Sequence, residues 1–192
     1  MPNTLDVFKF ELYYERLNFD LSLLSNFCFE QQTLSEGRVL SNLGGWQSND
    51  LNDENKLIVD LKKTIFQHVD WYSKKFNMNN SLKLANFWIN INGYKDCNNT
   101  HFHPNNILSG VFYIKVPENS GKIKFHNPAS DLIEACLTNH ISQYNTINSA
   151  CWTFEPEENM LLIFPSFLKH NVLPNMNKED KRISISFNAC II

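Results

Sequence analysis

Six histidines are spread through the 192-residue chain, and three of them stand where a metal ion would need ligands. His101 and His103 are two residues apart in His101-Phe102-His103-Pro104, a segment that reads as extended, and the two-residue period of a strand points both side chains to one face. His170 comes third, beyond a strand expected over Met160 to Phe164 and the turn Pro165-Ser166. Imidazole suits iron, zinc, copper or nickel, so the spacing implies a metal without choosing among them. Of the remaining histidines, His68 and His126 read as ordinary residues, with a pocket-lining place left open for His126, and His140 stays unassigned. His68 lies on the face of an expected helix with no partner in its vicinity, His126 ends a strand, and His140 falls in a stretch without a readable pattern.

A second chemical signal lies in Arg182-Ile183-Ser184-Ile185-Ser186-Phe187-Asn188. In a strand, Ile183, Ile185 and Phe187 share one face, while Arg182, Ser184 and Ser186 share the other. If the apolar face packs under a helix, the guanidinium points into the protein interior, where it needs an anion. If the strand is at an edge, Arg182 stands in water; the strand alone does not decide between the two.

These groups must be positioned by elements that the periodicity outlines. Phe8, Phe10 and Leu12 alternate with Lys9 and Glu11, predicting a first strand between Val7 and Leu12; Asp20 then caps a short helix over Leu21 to Phe29. From Asn55 to Phe76, Ile58, Leu61, Ile65, Val69, Tyr72 and Phe76 recur at spacings of three and four, predicting a long helix that covers one outer face of a sheet. Short β-rich runs follow at Leu84 to Ile91, Ile107 to Val116, Lys122 to His126, Ala150 to Phe154, Met160 to Phe164 and Arg182 to Asn188, mostly separated by Gly, Pro, Asn or Asp. Residues 127–149 read as a lid or an irregular connection. Two helices followed by many strands predict an α+β, mainly β chain, and the length suits one domain over residues 1–192.

Composition narrows the class. With 43% hydrophobic and 13% aromatic residues against 19% charged, the chain can bury a core, and a net charge of −3 with no basic run longer than a pair gives no footprint of a duplex-binding surface. Five scattered cysteines contain no Cys-x-x-Cys pair, against both a disulfide framework and a thiolate zinc site and in keeping with a reducing cytoplasm. Charges at Asp6, Lys9, Glu11, Glu15 and Arg16 interrupt any leader-like apolar stretch, and no later run is long enough to span a membrane.

As an ordered set, several segments resemble the 2-oxoglutarate/iron(II) oxygenases of bacteria and marine phages, distantly similar to prolyl hydroxylases. They are Ser41 to Ser48, Asn86-Phe87-Trp88-Ile89-Asn90, His101-Phe102-His103-Pro104, Leu108 to Tyr113, and Leu162-Ile163-Phe164-Pro165-Ser166 through His170 to the strand beginning at Arg182. The resemblance implies a double-stranded β-helix, or jelly-roll, core with supporting helices from the N-terminal half. It implies iron(II) held by His101 and His170, 2-oxoglutarate as cosubstrate held by Arg182 and Ser184, and release of succinate and carbon dioxide. Tyr113 matches a tyrosine that reaches the 2-oxoglutarate carboxylate, or is a core tyrosine. His103 occupies the position of the superfamily's usual Asp or Glu ligand and departs from that pattern, so either His103 ligates in a three-His site or another residue supplies the carboxylate; the ligand set expected is His101, His103 and His170. Trp46, Asn90 and Asn92 are candidates for the substrate side, and Trp46 equally for the core.

The substrate is open among a peptide side chain, a small metabolite and a modified nucleobase, the first two being the ones expected. Two other readings stay open: a three-His cupin-like dioxygenase that does not consume 2-oxoglutarate, and a jelly-roll binding protein without catalysis. Metal content together with succinate formation separates all three.

Overall fold

The computed structural model describes residues 3–5, 7–52 and 54–192. Asp6, one of the N-terminal charges considered above, lies outside them. Among the described residues no helix is long and apolar enough to cross a membrane.

Two antiparallel sheets face one another. The larger is built from β1 (Tyr13–Arg16), β3 (Trp46–Gln47), β4 (Leu82–Asn92), β6 (Leu108–Lys115), β9 (Met160–Pro165) and β11 (Arg182–Ile191), in the order β1-β9-β6-β11-β4-β3. The smaller joins β2 (Asn42–Leu43), β5 (Cys97–His101), β7 (Ile123–His126), β8 (Cys151–Phe154) and β10 (His170–Val172), in the order β2-β5-β10-β7-β8. Strands that follow each other in sequence often lie in opposite sheets, which is the winding of a jelly-roll. The expected fold class is observed.

Helices α1 (Leu21–Leu34) and α2 (Lys56–Ser73) cover the outer face of the larger sheet. Asp20 caps α1 by accepting from the amides of Ser22 and Leu23, and Asn55 caps α2 by accepting from that of Leu57. The stripe of α2 is buried at Ile58, Leu61, Ile65, Val69 and Tyr72, against Ile183, Ile185 and Phe187 of β11 and Phe87, Ile89 and Ile91 of β4. The alternate residues of β4 and β11 therefore face the smaller sheet. A second cluster, including Val111, Tyr113, Ile123, Phe125, Leu162 and Phe164, packs between the sheets, and four of these, Val111, Tyr113, Ile123 and Phe164, also line a cavity there.

Three expectations need correction. The first strand lies at Tyr13–Arg16, not between Val7 and Leu12, because its pairing is set by the register against β9, Tyr13 opposite Ile163 and Arg16 opposite Met160. Phe8 is exposed with a positive φ of 57°, and Phe10 rests edge-on against Phe167. Helix α1 runs on past Phe29 to Leu34, carried by a polar, exposed turn. Residues 127–149 contain a helix, α3 (Ser130–Leu137), that buries none of its residues and so leaves no clear apolar stripe to read.

Candidate metal and cosubstrate site

His101 ends β5 and His170 begins β10, and the antiparallel register places them directly opposite one another. Their ring centroids are 4.4 Å apart. His103 lies two residues past His101, where its backbone amide donates to the Ser166 carbonyl (3.0 Å) and so anchors the strand's extension to the turn after β9. Its ring is 5.0 Å from that of His101 and 5.2 Å from that of His170. One nitrogen from each of the three imidazoles falls within 4.8 Å of the others. Among the described residues this is the sole group of three or more His, Cys, Asp or Glu side chains arranged for a metal ion, and it contains no carboxylate.

The tautomers are set by the backbone. His101 Nδ1 is 2.7 Å from the Asn99 carbonyl and His170 Nδ1 is 2.9 Å from the Leu168 carbonyl. A carbonyl only accepts, so each Nδ1 carries the proton and each Nε2 keeps its lone pair for a ligand role. His170 is further seated by the edge of Phe164, 4.7 Å between centroids, and by Phe125. Burial holds all three imidazoles toward the neutral form a metal requires. It lowers His101 despite the opposing Asn99 bond, and with neighbouring His101 it brings His103 to about 4 and His170 to about 3.

Arg182 is the second feature of the same cavity. It is 2% exposed, and Nη1 donates to the carbonyls of Ser120 (2.7 Å) and Gly121 (3.3 Å). Among the described residues no carboxylate forms an ion pair with it. Burial pulls its pKa down, with Tyr113, Cys97 and Asp96 opposing. Ser184 shares its face of β11 and lies opposite Tyr113 of β6. Burial drives the Tyr113 hydroxyl up to about 12 although Arg182 pulls it down, so it stays protonated as a donor.

His101, His103, His170, Arg182, Ser184 and Tyr113 all line one cavity of about 540 Å³ between the sheets. The volume is in the range that holds a small-molecule ligand. Asn90 and Asn92 line it too, but Trp46 does not: it is buried on the helix side, its indole donating to the Ser35 carbonyl. The indole on the cavity wall is Trp88, 6.1 Å from the His103 ring. Its position on β4, in parity with Asn90, could have identified it. Arg38, in an irregular loop, also lines the cavity and carried no periodic signal. His68, expected to lack a partner, receives a 2.6 Å hydrogen bond at Nδ1 from or gives one to the Tyr13 hydroxyl, which the chain brings from 55 residues away. His126 pairs with Asn171 and His140 is exposed, neither on the cavity.

A polar network supports the site from below. The Ser109 hydroxyl donates to Asn188 Oδ1 (2.8 Å) and meets the Ser166 hydroxyl (2.7 Å), tying β6, β11 and the turn that holds His103. Gly110 beside it admits no side chain, since a Cβ there would come within 2.3 Å of the Phe187 ring.

Residues 86–188 match a protein family described as "putative 2OG-Fe(II) oxygenase". No curated protein matches the chain by sequence. Among solved structures, a prolyl-4-hydroxylase from Pseudomonas putida superposes with a TM-score of 0.65 at 13% identity, over 93% of this chain and 92% of that one. A viral collagen prolyl hydroxylase from Paramecium Bursaria Chlorella virus-1, in a complex with 2OG, gives 0.62 at 14% identity over 94% and 97%. HygX from Streptomyces hygroscopicus, with nickel and 2-oxoglutarate bound, gives 0.63 at 9% identity over 94% and 82%. These likenesses concern the fold.

Proposed function

The chain belongs to the 2OG-Fe(II) oxygenase family, and from that premise we propose that His101, His103 and His170 hold its iron(II) while Arg182, Ser184 and Tyr113 hold 2-oxoglutarate. The observation that carries the reading is convergence: a neutral three-imidazole cluster and a buried guanidinium that has no carboxylate partner among the described residues line one cavity. The donor set fits the metal, because two Nε2 lone pairs are freed by backbone bonds at Nδ1. The guanidinium fits the cosubstrate, because its carbonyl partners orient it without neutralising it.

When bound, iron(II) with 2-oxoglutarate and oxygen supplies an oxidant for a substrate C–H bond, with succinate and carbon dioxide released. The chain's own residues perform the rest. The Asn99 and Leu168 carbonyls fix the ring planes of His101 and His170. Arg182 offers a planar fork to the distal carboxylate, with the Ser184 hydroxyl beside it on the same strand face and Tyr113 across the sheet. Val111, Ile123 and Phe164, members of the buried apolar cluster, give the cavity an apolar stretch of wall. Hydroxylation of a small molecule or a peptide side chain is the reaction this supports, in a reducing cytoplasm that would keep the five free cysteines as thiols.

Anaerobic reconstitution tests the reading. Wild type should take up about one equivalent of iron(II), and 2-oxoglutarate should then raise a metal-to-ligand absorption band. His101→Ala and His170→Ala should lose the metal; retention of a full equivalent by both would remove the assignment.

A further inference from the structure

The electrostatics of the cavity restrict the molecule it oxidises. Resting on the reading above, we propose that this substrate is a carboxylate, and that the Arg38 guanidinium at the cavity wall receives it.

Charge comes first. The described residues that line the cavity include two arginines, three histidines and many amides and hydroxyls, but no Asp or Glu. Iron(II) brings two positive charges and Arg182 one, and the dianionic cosubstrate removes two. Neutral imidazoles remove none, where a carboxylate ligand in place of His103 would remove one. Arg38 is balanced by Asp50, its Nη2 donating to Oδ1 at 2.9 Å. The loaded cavity therefore keeps one uncompensated positive charge between the two sheets. The polar side chains around it, Asn90, Asn92 and Ser186 among them, carry dipoles and no charge. A second anion is the partner that closes the balance.

Geometry then indicates where that anion sits. Arg38 lines the cavity with its guanidinium carbon 5.8 Å from the centre of the Trp88 ring, and the same indole lies 6.1 Å from the His103 ring. The metal ligands, the indole and Arg38 thus form one continuous wall. Asp50 takes the Nη2 donor and also accepts from Asn86 Nδ2 at 2.7 Å, which holds the guanidinium in place. Among the described residues Arg38 Nε is buried with no hydrogen-bond partner, and it is the one buried side-chain nitrogen or oxygen in that condition. A buried N–H left unpaired is costly, and a carboxylate that draws the guanidinium toward the cavity satisfies it with a charge-assisted bond.

The probes are N-acetylated amino acids and their carboxamides, matched side chain by side chain. They are titrated anaerobically, in chloride-free buffer, into protein loaded with iron(II) and 2-oxoglutarate. Binding is read from perturbation of the metal-to-ligand band and from the melting temperature. Acids should bind at least about tenfold tighter than their amides. Arg38→Gln should bring the ratio to within about twofold while leaving the 2-oxoglutarate titration itself unchanged. His103→Asp, which removes one charge without touching Arg38, should shrink the ratio as well. A wild type without the band overturns the cosubstrate reading and this one together. A normal band with amides binding as well as acids, with no acid binding, or with the full ratio surviving in Arg38→Gln overturns the carboxylate proposal alone.

Discussion

Desolvation makes Arg182 a costly residue to bury. It loses water almost completely and receives in return two backbone carbonyls, with no ion pair among the described residues. Such a charge is worth keeping where a ligand completes it, and removing one member of a buried charge pair typically costs about 2–5 kcal/mol. Arg182→Ala should therefore weaken 2-oxoglutarate binding by about 30-fold or more, read from the absorption band of iron-loaded protein. Arg182→Lys should recover little of it, because an ammonium lacks the planar fork that the Ser120 and Gly121 carbonyls hold in place. Iron content should be unchanged in both variants, since the histidines are independent of them. Wild-type affinity in Arg182→Ala would leave the three-His dioxygenase reading in possession of the site.

At the scale of elements, the site depends on two strand registers and one turn. His101 opposite His170 requires β5 and β10 to pair in one register, and a shift of one residue would turn an imidazole to the other face. The turn before β7 is equally specific. Gly121 has a φ of +87°, and a Cβ there would stand 2.1 Å from the Leu173 carbonyl oxygen and 2.8 Å from that of Pro174. Its own carbonyl is one of the acceptors of Arg182. Gly121→Ala should destabilise the protein by about 1–3 kcal/mol in urea unfolding and weaken 2-oxoglutarate binding as well. Gly93→Ala is the control, because a Cβ at Gly93 meets Asp96 at an ordinary 3.4 Å. Equal stability in the two variants would show that the Gly121 turn is not under this constraint.

For the molecule as a whole, the metal cluster sets the acid limit. Burial, the largest cause in each case, holds His101, His103 and His170 below the ordinary imidazole range, the latter two at about 4 and about 3. An unfolded chain titrates its histidines near 6.5, so between that value and about 3 the unfolded state binds more protons than the folded one. The stability these neutral imidazoles contribute is complete above pH 6.5 and is lost as pH falls through 4 toward 3. The urea midpoint of metal-free protein should accordingly drop across this window. A His103→Phe/His170→Phe double variant should drop less steeply; parallel curves would assign the acid sensitivity to other groups. Metal uptake should fail over the same range, since protons compete for the Nε2 lone pairs.

Local order was readable wherever a backbone period meets a one-sided environment. The stripe of α2 and the opposition of Arg182 and Ser184 to Ile183 and Ile185 follow from periods of 3.6 and 2, whereas His103 reaches the cavity of His101 from beyond the end of β5, with Phe102 between them lining it too. These periods are properties of the chain itself, so residue types repeated on them disclose which face is buried. What they could not disclose is which distant segment supplies the other half of a contact. That Trp88 and not Trp46 walls the cavity depends on which side of the larger sheet each indole faces. The Tyr13 bond to His68, the start of β1 at Tyr13 and the carbonyl cradle of Arg182 join residues 55 or more positions apart. Arg38 belongs to a loop with no period at all, and its unpaired Nε exists only because Asp50, Asn86 and Trp88 close around it. The amino-acid sequence by itself determined the elements, their buried faces and the chemical groups on them. The tertiary structure alone decided which of those groups share a cavity and what charge is left there, because burial and electrostatic balance are sums over neighbours that only folding brings together.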